Sequence, residues 1–311
     1  MTKFERRLLA FPPLAFLVRK SKRTTFSGLQ DLFLYDVIVE FIRQAKKAGL
    51  RERSAAISFN MIMALPAGLL FLFSIIPYLP ESNKFDAQIM GLFKDIAPNS
   101  STYMLIKNVL GDLLVKHVGV FSFGFILLIY YSSNMMMGVI HTFDKSIQEN
   151  KVFFLHKRWR AIVLTAILIV FVLTSSTLLI GHHQFEVLLK KLFHMKKKAD
   201  LPWWDAVRWI ILILFLFYGI ALVYKFAPSV KRRWPLITPG SVLATTLTLI
   251  TTILFSYWVN HFAGYNRVYG SIGTVMIIML LINLNSLILL IGFELNVSIL
   301  KLVAAKDLQH K

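Results

Sequence analysis

The sequence contains no cysteine, and its 16 acidic residues are few beside 35 lysines and arginines. Without cysteine, the chain has no disulfide, no thiol nucleophile and no thiolate ligand for a metal. A nuclease that uses two metal ions needs clustered carboxylates, whereas the acidic residues here are scattered along the chain. Phosphate-binding glycine loops and the G-x-S-x-G and H-E-x-x-H motifs are also missing. We therefore expect no catalytic residues, no metal and no cofactor, and hence no enzyme.

Charged residues are scarce for a chain of this length, whereas long apolar runs are abundant. Of the 311 residues, 56% are hydrophobic and 16% are charged, a balance that one water-soluble core could not bury. About 20 helical residues cross the roughly 30 Å hydrocarbon layer of a bilayer. Runs of this kind lie at 55–79, 118–140, 161–181, 207–227, 241–260 and 271–297. They lack the alternation of barrel strands. The sequence thus predicts an all-α, polytopic integral membrane bundle of about six transmembrane helices, with additional amphipathic surface helices.

The segments around these runs divide the chain into three predicted parts. Residues 1–54 form a basic cytoplasmic N-terminal region with an amphipathic helix, which Gly49 is placed to end. This helix lies either on the membrane surface or against the bundle. The six-span membrane domain covers 55–300 and includes an extramembrane helical loop at 80–117. Residues 301–311 form a short cytoplasmic tail.

The net charge of +19 predicts the orientation of the chain in the membrane rather than binding to nucleic acid. Cytoplasmic flanks of membrane helices collect Lys and Arg. Twelve of the 35 precede the first span, and five lie between the second and third. Both termini are therefore expected in the cytoplasm. The loop at 182–206 disagrees, because this orientation places it outside although it carries five lysines.

Polar side chains inside the spans are candidates for function, because an ionisable group in hydrocarbon is costly unless it faces the bundle interior, a wet cavity or a partner. Asn283 and Glu294 are eleven residues apart, about three helical turns, and so share one face of span six. Asn296 follows them. A Glu294 that became protonated within the bundle would act as a carrier. A Glu294 paired with Arg or Lys would be a structural latch.

Spans one and two carry further candidates. Asn134 and His141 are seven residues apart and share a face of span two, although solvation at the membrane surface also explains His141. Asn60 lies six residues before Pro66 in span one. A proline removes one helix hydrogen bond and can expose a backbone carbonyl there. We include all four in a candidate path for a substrate or ion.

The start of span six offers a candidate substrate site at Arg267, Tyr269 and Gly270. Free N–H groups at a helix start attract anions, and glycine allows a neighbouring helix to approach. Arg267 would hold an anionic headgroup there, or simply anchor the helix at the interface. Membrane lipids, anionic ones above all, are the expected partners. Small-residue faces on spans five and six would pack within the bundle or between copies in a homo-oligomer.

Three stretches carry more specific motifs: "RSAAISFNMIMALP" in span one, "KFAPSVKRRWPLITPGSVLA" before span five, and "NRVYGSIGTVMIIMLLINLNSLILLIGFELN" in span six. Together they resemble the YihY/BrkB family of bacterial membrane proteins over residues 35–300. In span one the chain has Ser58, Phe59 and Asn60 where the family more usually has an aromatic pair. The matching positions in span six are Tyr269, Gly270, Ser271, Gly273, Gly292, Glu294, Leu295 and Asn296.

The resemblance implies an integral protein of the bacterial cytoplasmic membrane, in a family named partly after a virulence-associated resistance factor. Many members have carried a ribonuclease BN label that is generally regarded as an error, and the family has no established catalytic residues. We predict a transporter or flippase-like protein for an envelope lipid or other anionic amphiphile. The alternative is a non-transporting scaffold for envelope partners, and a ribonuclease is the least favoured interpretation.

Overall fold

The computed structural model of the protein describes residues 32–75, 118–147, 153–180, 204–230, 234–261 and 264–309, together with the single residues 77, 104, 108 and 111. Within these ranges the chain is helical and forms no β-sheet, so the predicted all-α class is confirmed. The helices are α1 (Leu34–Lys47), α2 (Leu50–Ile75), α3 (Val118–Ile147), α4 (Phe154–Ile180), α5 (Trp204–Phe226), α6 (Pro239–His261) and α7 (Gly264–Gln309).

Helices α2 to α7 pack side by side into a closed ring. Each contacts the next in chain order, and α7 completes the ring by packing against α2. Successive helices are antiparallel: the end of α3 meets the start of α4 through Asp144 and Lys157, and Ser229, just after α5, bonds the same Asp144. We call this end of the ring the basal end. Helices α2, α4 and α6 begin there, α3 and α5 end there, and α7 passes it at Glu294.

Five helices are long and apolar enough to cross a membrane within the described part of the chain: α2, α3, α5, α6 and α7. Helix α4 covers the remaining predicted span, 161–181, and packs between α3 and α5. The prediction of a helical membrane bundle is thus confirmed. Among the described residues, five of the six predicted spans are thus long and apolar enough to cross a membrane.

The packed core lies in the basal half of the ring. Phe143 of α3 and Phe293 of α7 are fully buried and stack with their ring centroids 3.6 Å apart. Tyr224 of α5 packs edge-on against both rings. Its hydroxyl donates a hydrogen bond to the carbonyl of Leu289 at 2.7 Å. These contacts fix α3, α5 and α7 to one another beside Glu294, the residue after Phe293.

Helix α1 packs against α7. Of its two predicted positions, on the membrane surface or against the bundle, it therefore takes the second. Gly49 has a φ of 61°, a left-handed conformation that favours glycine and ends the helix, as predicted. The side chain of Val37 is 1% exposed and packs with Ile299. Lys301 Nζ donates to Gln44 Oε1 at 2.8 Å. The chain therefore turns at Gly49 from a docked helix directly into α2.

Helix α7 is much longer than a membrane span. Its 46 residues extend over about 69 Å at 1.5 Å per residue, against about 30 Å of hydrocarbon. It continues to Gln309, so the boundary predicted at residue 300 falls inside a helix, and the extra length is what receives α1. The loops predicted at 80–117 and 182–206 lie almost wholly outside the described residues.

Candidate functional site

Glu294 of α7 has no exposed surface and lies where α2, α3 and α7 meet. Its Oε1 accepts a hydrogen bond from Ser146 Oγ of α3 and lies 3.5 Å from Arg53 Nη1 of α2. The same nitrogen of Arg53 donates to Ser146 Oγ at 2.6 Å. We call Arg53, Ser146 and Glu294 the Glu294 cluster. It holds three helices together at the basal end.

The second carboxylate oxygen of Glu294, Oε2, is buried and has no hydrogen-bond partner among the described residues. Leaving such an atom unpaired costs about 1–3 kcal/mol. The attraction of Arg53 offsets this cost, because ion pairs are screened little in an interior of low dielectric constant. The Glu294 cluster therefore keeps one acceptor free for a further donor.

Asn296, two residues after Glu294 in α7, fixes the start of α6. Its Oδ1 accepts a hydrogen bond from the backbone N–H of Gly240 at 2.9 Å, and its Nδ2 donates to Thr238 Oγ1 at 3.0 Å. The first N–H groups of a helix lack intrahelical partners, so Asn296 acts as a cap supplied by another helix. Asn296, which was predicted to line a path for a substrate or ion, therefore caps the start of α6.

Gly240 and Gly292 allow α6 and α7 to touch through their backbones. A Cβ added at Gly292 would lie 2.5 Å from the carbonyl oxygen of Gly240 and 2.8 Å from Ala244 Cβ, and it would clash with the hydroxyl of Tyr224. Small residues permit this close approach in membrane helices. Gly292, in the later part of the span-six motif, is therefore a point of contact between α6 and α7.

A second polar cluster joins α3, α4 and the end of α5 at the basal end. Lys157 Nζ lies 2.5 Å from Asp144 Oδ2. The Asp144 carboxylate also accepts from the N–H of Ser229 at 2.8 Å and from its hydroxyl at 3.0 Å. Arg160 donates to Ser229 Oγ at 3.0 Å and to the Pro228 carbonyl at 3.3 Å. Within the described ranges, no group of three or more His, Asp or Glu is placed to hold a metal ion.

An apolar groove opens between α2, α3 and α4, on the side of the core away from the basal end. Phe71 in its wall lies about five turns along α2 from Arg53, and Met136 in its floor also belongs to the core. Its volume is about 380 Å³. The lining residues are Gly68, Phe71, Leu128, Ser132, Met135, Met136, Thr165, Leu168, Ile169 and Val172.

Asn134 of α3 holds an arginine of α4. Arg158 Nη1 donates to Asn134 Oδ1 at 2.5 Å, and the guanidinium carbon lies 5.5 Å from the centre of the Tyr130 ring. His141, predicted to share a face with Asn134, is exposed. No contact in the described part of the chain brings His141 and Asn134 together.

Asn283 and Glu294 both contact α2, as their predicted common face requires. Asn283 Oδ1 accepts a hydrogen bond from Ser58 Oγ at 3.3 Å. Asn60 is half-buried and donates to a carbonyl of its own helix at 3.0 Å. Pro66 is exposed, and α2 continues past it to Ile75.

Of the predicted site at Arg267, Tyr269 and Gly270, the last two residues do not lie at a helix start, which corrects the argument that the amides of the glycine motif bind an anion. Helix α7 begins at Gly264, so the N–H of Gly270 lies beyond the first turn, where amides bond to carbonyls four residues earlier. A glycine inside a helix costs only about 1 kcal/mol, so Gly270 does not delay the helix. The side chains of Arg267 and Tyr269 lie outside the described part of the structure.

Sequence reasoning did not single out Arg53, Ser146, Gly240 or Arg158. Arg53 counted only as one of the basic residues before span one, although it lies a few residues before an apolar run and can reach into the bundle. Its partner Glu294 is 241 residues away. No local pattern connects residues at such a separation.

The chain is similar to a set of bacterial membrane proteins. A putative ribonuclease-like protein, YfkH of Bacillus subtilis, is 28% identical over 250 residues, which are 79% of this chain and 88% of that protein. UPF0761 membrane protein MS0032 of Mannheimia succiniciproducens is 20% identical over 265 residues, 83% of this chain and 88% of that protein. A UPF0761 membrane protein of Tolumonas auensis is 33% identical over 76 residues, 24% of this chain and 25% of that protein.

No solved structure matches the chain. The family model described as "Virulence factor BrkB" matches residues 41–311. This match includes α2 to α7 and the residues of the Glu294 cluster. The protein therefore belongs to the Virulence factor BrkB family of membrane proteins, as the motifs in its first, fifth and sixth predicted spans indicated.

Proposed function

We propose that this membrane protein is a transporter or flippase-like protein that moves an anionic amphiphile, such as an envelope lipid, across the bacterial cytoplasmic membrane. The observation that carries the proposal is the difference between the two halves of the ring. The basal half is packed around Phe143 and Phe293, whereas the opposite half holds the apolar groove. Alternating access requires a bundle that closes one end while the other is open, and this asymmetry supports such a cycle.

The groove suits the apolar part of an amphiphile. Its volume of about 380 Å³ falls within the range of about 300–1,000 Å³ usual for small-molecule pockets. Its walls are aliphatic or aromatic except at Ser132 and Thr165. Thr165 donates its hydroxyl to the Ser132 carbonyl at 3.4 Å, which leaves the surface mainly apolar. An acyl chain therefore fits this groove better than a polar solute does.

The Glu294 cluster would be the gate at the basal end. Opening that end must separate α2, α3 and α7, and these helices are joined by Arg53, Ser146 and Glu294. The unpaired Oε2 of Glu294 leaves the closed arrangement short of one hydrogen bond. This reduces the free-energy difference between closed and open states. The sequence has no nucleotide-binding motif, so an ion gradient or a partner ATPase would drive net movement.

A non-transporting scaffold is the second candidate, and one observation favours it. The Glu294 carboxylate has no exposed surface, which suits a latch that never opens. In this role the protein would anchor envelope partners through its basic N-terminal region and the docked helix α1. Neither candidate includes catalysis, and the ribonuclease-like name of YfkH describes only that relative.

The test is lipid movement in liposomes that contain the purified protein and a fluorescent phosphatidylglycerol, with dithionite added outside to bleach the outer leaflet. We expect the intact protein to make most of the label accessible, and Gly68→Phe, which fills the groove, to slow this severalfold. Gly119→Phe is the matched control, because a Cβ at Gly119 meets nothing within 4 Å. Arg267→Ala tests the predicted headgroup contact in the same assay.

Glu294→Gln separates gate from latch when its thermal unfolding is measured beside its transport. A gate predicts a changed rate of lipid movement for Glu294→Gln and for Arg53→Met at matched insertion. The double variant should be less destabilised than the sum of the two single changes, because it removes both partners of a buried pair. If the intact protein moves no lipid and Glu294→Gln only lowers the unfolding temperature, the scaffold replaces the transporter.

A further inference from the structure

Helix α1 has two apolar stripes, and its contact with α7 uses the first of them. That stripe holds Val37, Gln44 and Ala48, which are buried. Residues four or eleven apart share one face of a helix, so a second, wholly apolar stripe lies beside the first and consists of Leu34, Ile38, Ile42 and Ala45. On the other side of the first stripe, the exposed residues are Asp36, Val39, Arg43, Lys46 and Lys47. In the second stripe Ile38 is 43% exposed and the other three side chains are half-buried.

Helix α1 lies across α7 rather than along it. Val37 and Gln44 are seven residues apart, about 10 Å along a helix. Their partners on α7, Ile299 and Lys301, are two residues apart, about 3 Å along that helix. The axes of the two helices therefore cross at a steep angle. Because α7 is one of the membrane helices, α1 runs along the surface of the membrane at the basal end.

The level of α1 is that at which the apolar part of the bundle ends. Ile299 and Leu300 of α7 line a small pocket together with Ile237, which precedes α6, so these three residues lie at one level. Leu300 and Ile237 are 38% and 67% exposed, as expected where lipid still surrounds the protein. Lys301, which follows, is the first charged residue of α7 after Glu294. Amphipathic helices of membrane proteins lie at such a boundary between apolar and charged surface.

We propose that α1 is an interfacial helix, which binds the headgroup layer of an anionic membrane in addition to α7. With its first stripe turned sideways onto α7, its second stripe and its charged side face in opposite directions along the membrane normal. The second stripe therefore lies against the acyl chains, and the charged side lies among the headgroups. The last turn of α1 carries Lys46 and Lys47, and cations at this level attract acidic lipids. The proposal does not depend on lipid movement, so it stands even if the protein is a scaffold.

The experiment measures the surroundings of single spin labels on the full-length protein in liposomes. The natural chain has no cysteine, so Ile38→Cys and Val39→Cys each take one label. They are a matched pair, because both side chains are aliphatic and are 43% and 38% exposed, one in the second stripe and the other on the charged side. Molecular oxygen concentrates among acyl chains and a nickel chelate stays in water. In phosphatidylglycerol liposomes, the ratio of oxygen to nickel accessibility should be several times higher at Ile38→Cys.

Similar ratios at the two positions would overturn the proposal, because both sides of α1 would then face the same medium. A label at Ile38→Cys that neither reagent reaches would also overturn it, because protein would then cover the second stripe. Both labelled variants should unfold at the temperature of the intact protein, since neither side chain is buried against α7.

The role of charge is tested by adding Lys47→Gln to Ile38→Cys. The oxygen-to-nickel ratio in phosphatidylglycerol should then fall toward its value in phosphatidylcholine. Lys145→Gln is the matched control, because Lys145 is an exposed cation of α3. An equal fall with Lys145→Gln would assign the effect to the net charge of the protein. Equal ratios in the two lipids without either change would show that α1 has no preference for an anionic surface. Either result would overturn the assignment of anionic lipid as the partner of α1.

Discussion

At the scale of single residues, the basal end depends on side chains that would be unfavourable elsewhere in a membrane protein. Glu294 is fully buried, and it is accommodated because Arg53 and Ser146 reach it from two other helices. Gly240 and Gly292 are equally constrained, because each leaves space that the other backbone occupies. These positions tolerate little change in charge or in volume.

Replacing Gly292 with alanine should destabilise the protein. The new Cβ would collide with Tyr224 and with the carbonyl of Gly240, and overpacking of this kind costs roughly 1–3 kcal/mol. The unfolding temperature in detergent should fall. Gly119→Ala is the control, because nothing lies within 4 Å of its Cβ and alanine favours a helix. An unfolding temperature of Gly292→Ala at or above that of the intact protein would contradict the close contact.

At the scale of elements, α1 and the C-terminal part of α7 form a unit outside the ring. The apolar stripe of α1 predicted an amphipathic helix but did not indicate its partner. That partner is the continuation of α7 beyond Glu294, where Ile299 and Lys301 meet Val37 and Gln44. This contact joins the segment that enters the ring to the segment that leaves it, because α1 leads into α2 and the contacting part of α7 follows Glu294.

Val37→Asn should release α1 from α7. Val37 is 1% exposed, whereas Val39 is 38% exposed on the same helix, which makes Val39→Asn the matched control. Hydrogen exchange followed by mass spectrometry should show the amides of α1 exchanging at least about tenfold faster in Val37→Asn. A loss of about 1.4 kcal/mol of local stability is enough for that effect. Equal exchange rates in the two variants would mean that α1 is not held by this contact.

At the scale of the whole molecule, the described ring has a core packed toward its basal end and an apolar groove between α2, α3 and α4 on the other side of that core. Helices α3 and α5 end, and α4 and α6 begin, at the basal end, and the sequence around each of these two connections carries several Lys and Arg. Together with the basic N-terminal region they favour a cytoplasmic basal end. The groove would then open toward the outer leaflet. The sidedness of the ring therefore decides from which leaflet a lipid would enter.

Single cysteines test this orientation directly, because the natural chain contains none. Arg43→Cys in α1 and Lys306→Cys near the end of α7 should react with a membrane-impermeant maleimide only after the cells are permeabilised. Met104→Cys, at an exposed position in the predicted outer loop, should react in intact cells. Labelling of Arg43→Cys in intact cells would reverse the orientation. A further cysteine at Lys197 would place the lysine-rich loop.

The sequence alone determined the membrane class, the helical bundle, the stop at Gly49 and the common face of Asn283 and Glu294, because hydrophobicity, helical period and glycine conformation act locally. Only the tertiary structure decided what those residues meet. Arg53 reaches Glu294 across 241 residues, Asn296 caps a helix other than its own, and Arg158 turns to Asn134. Such partners follow from the order and tilt of packed helices. The residues of one span do not encode that order by themselves.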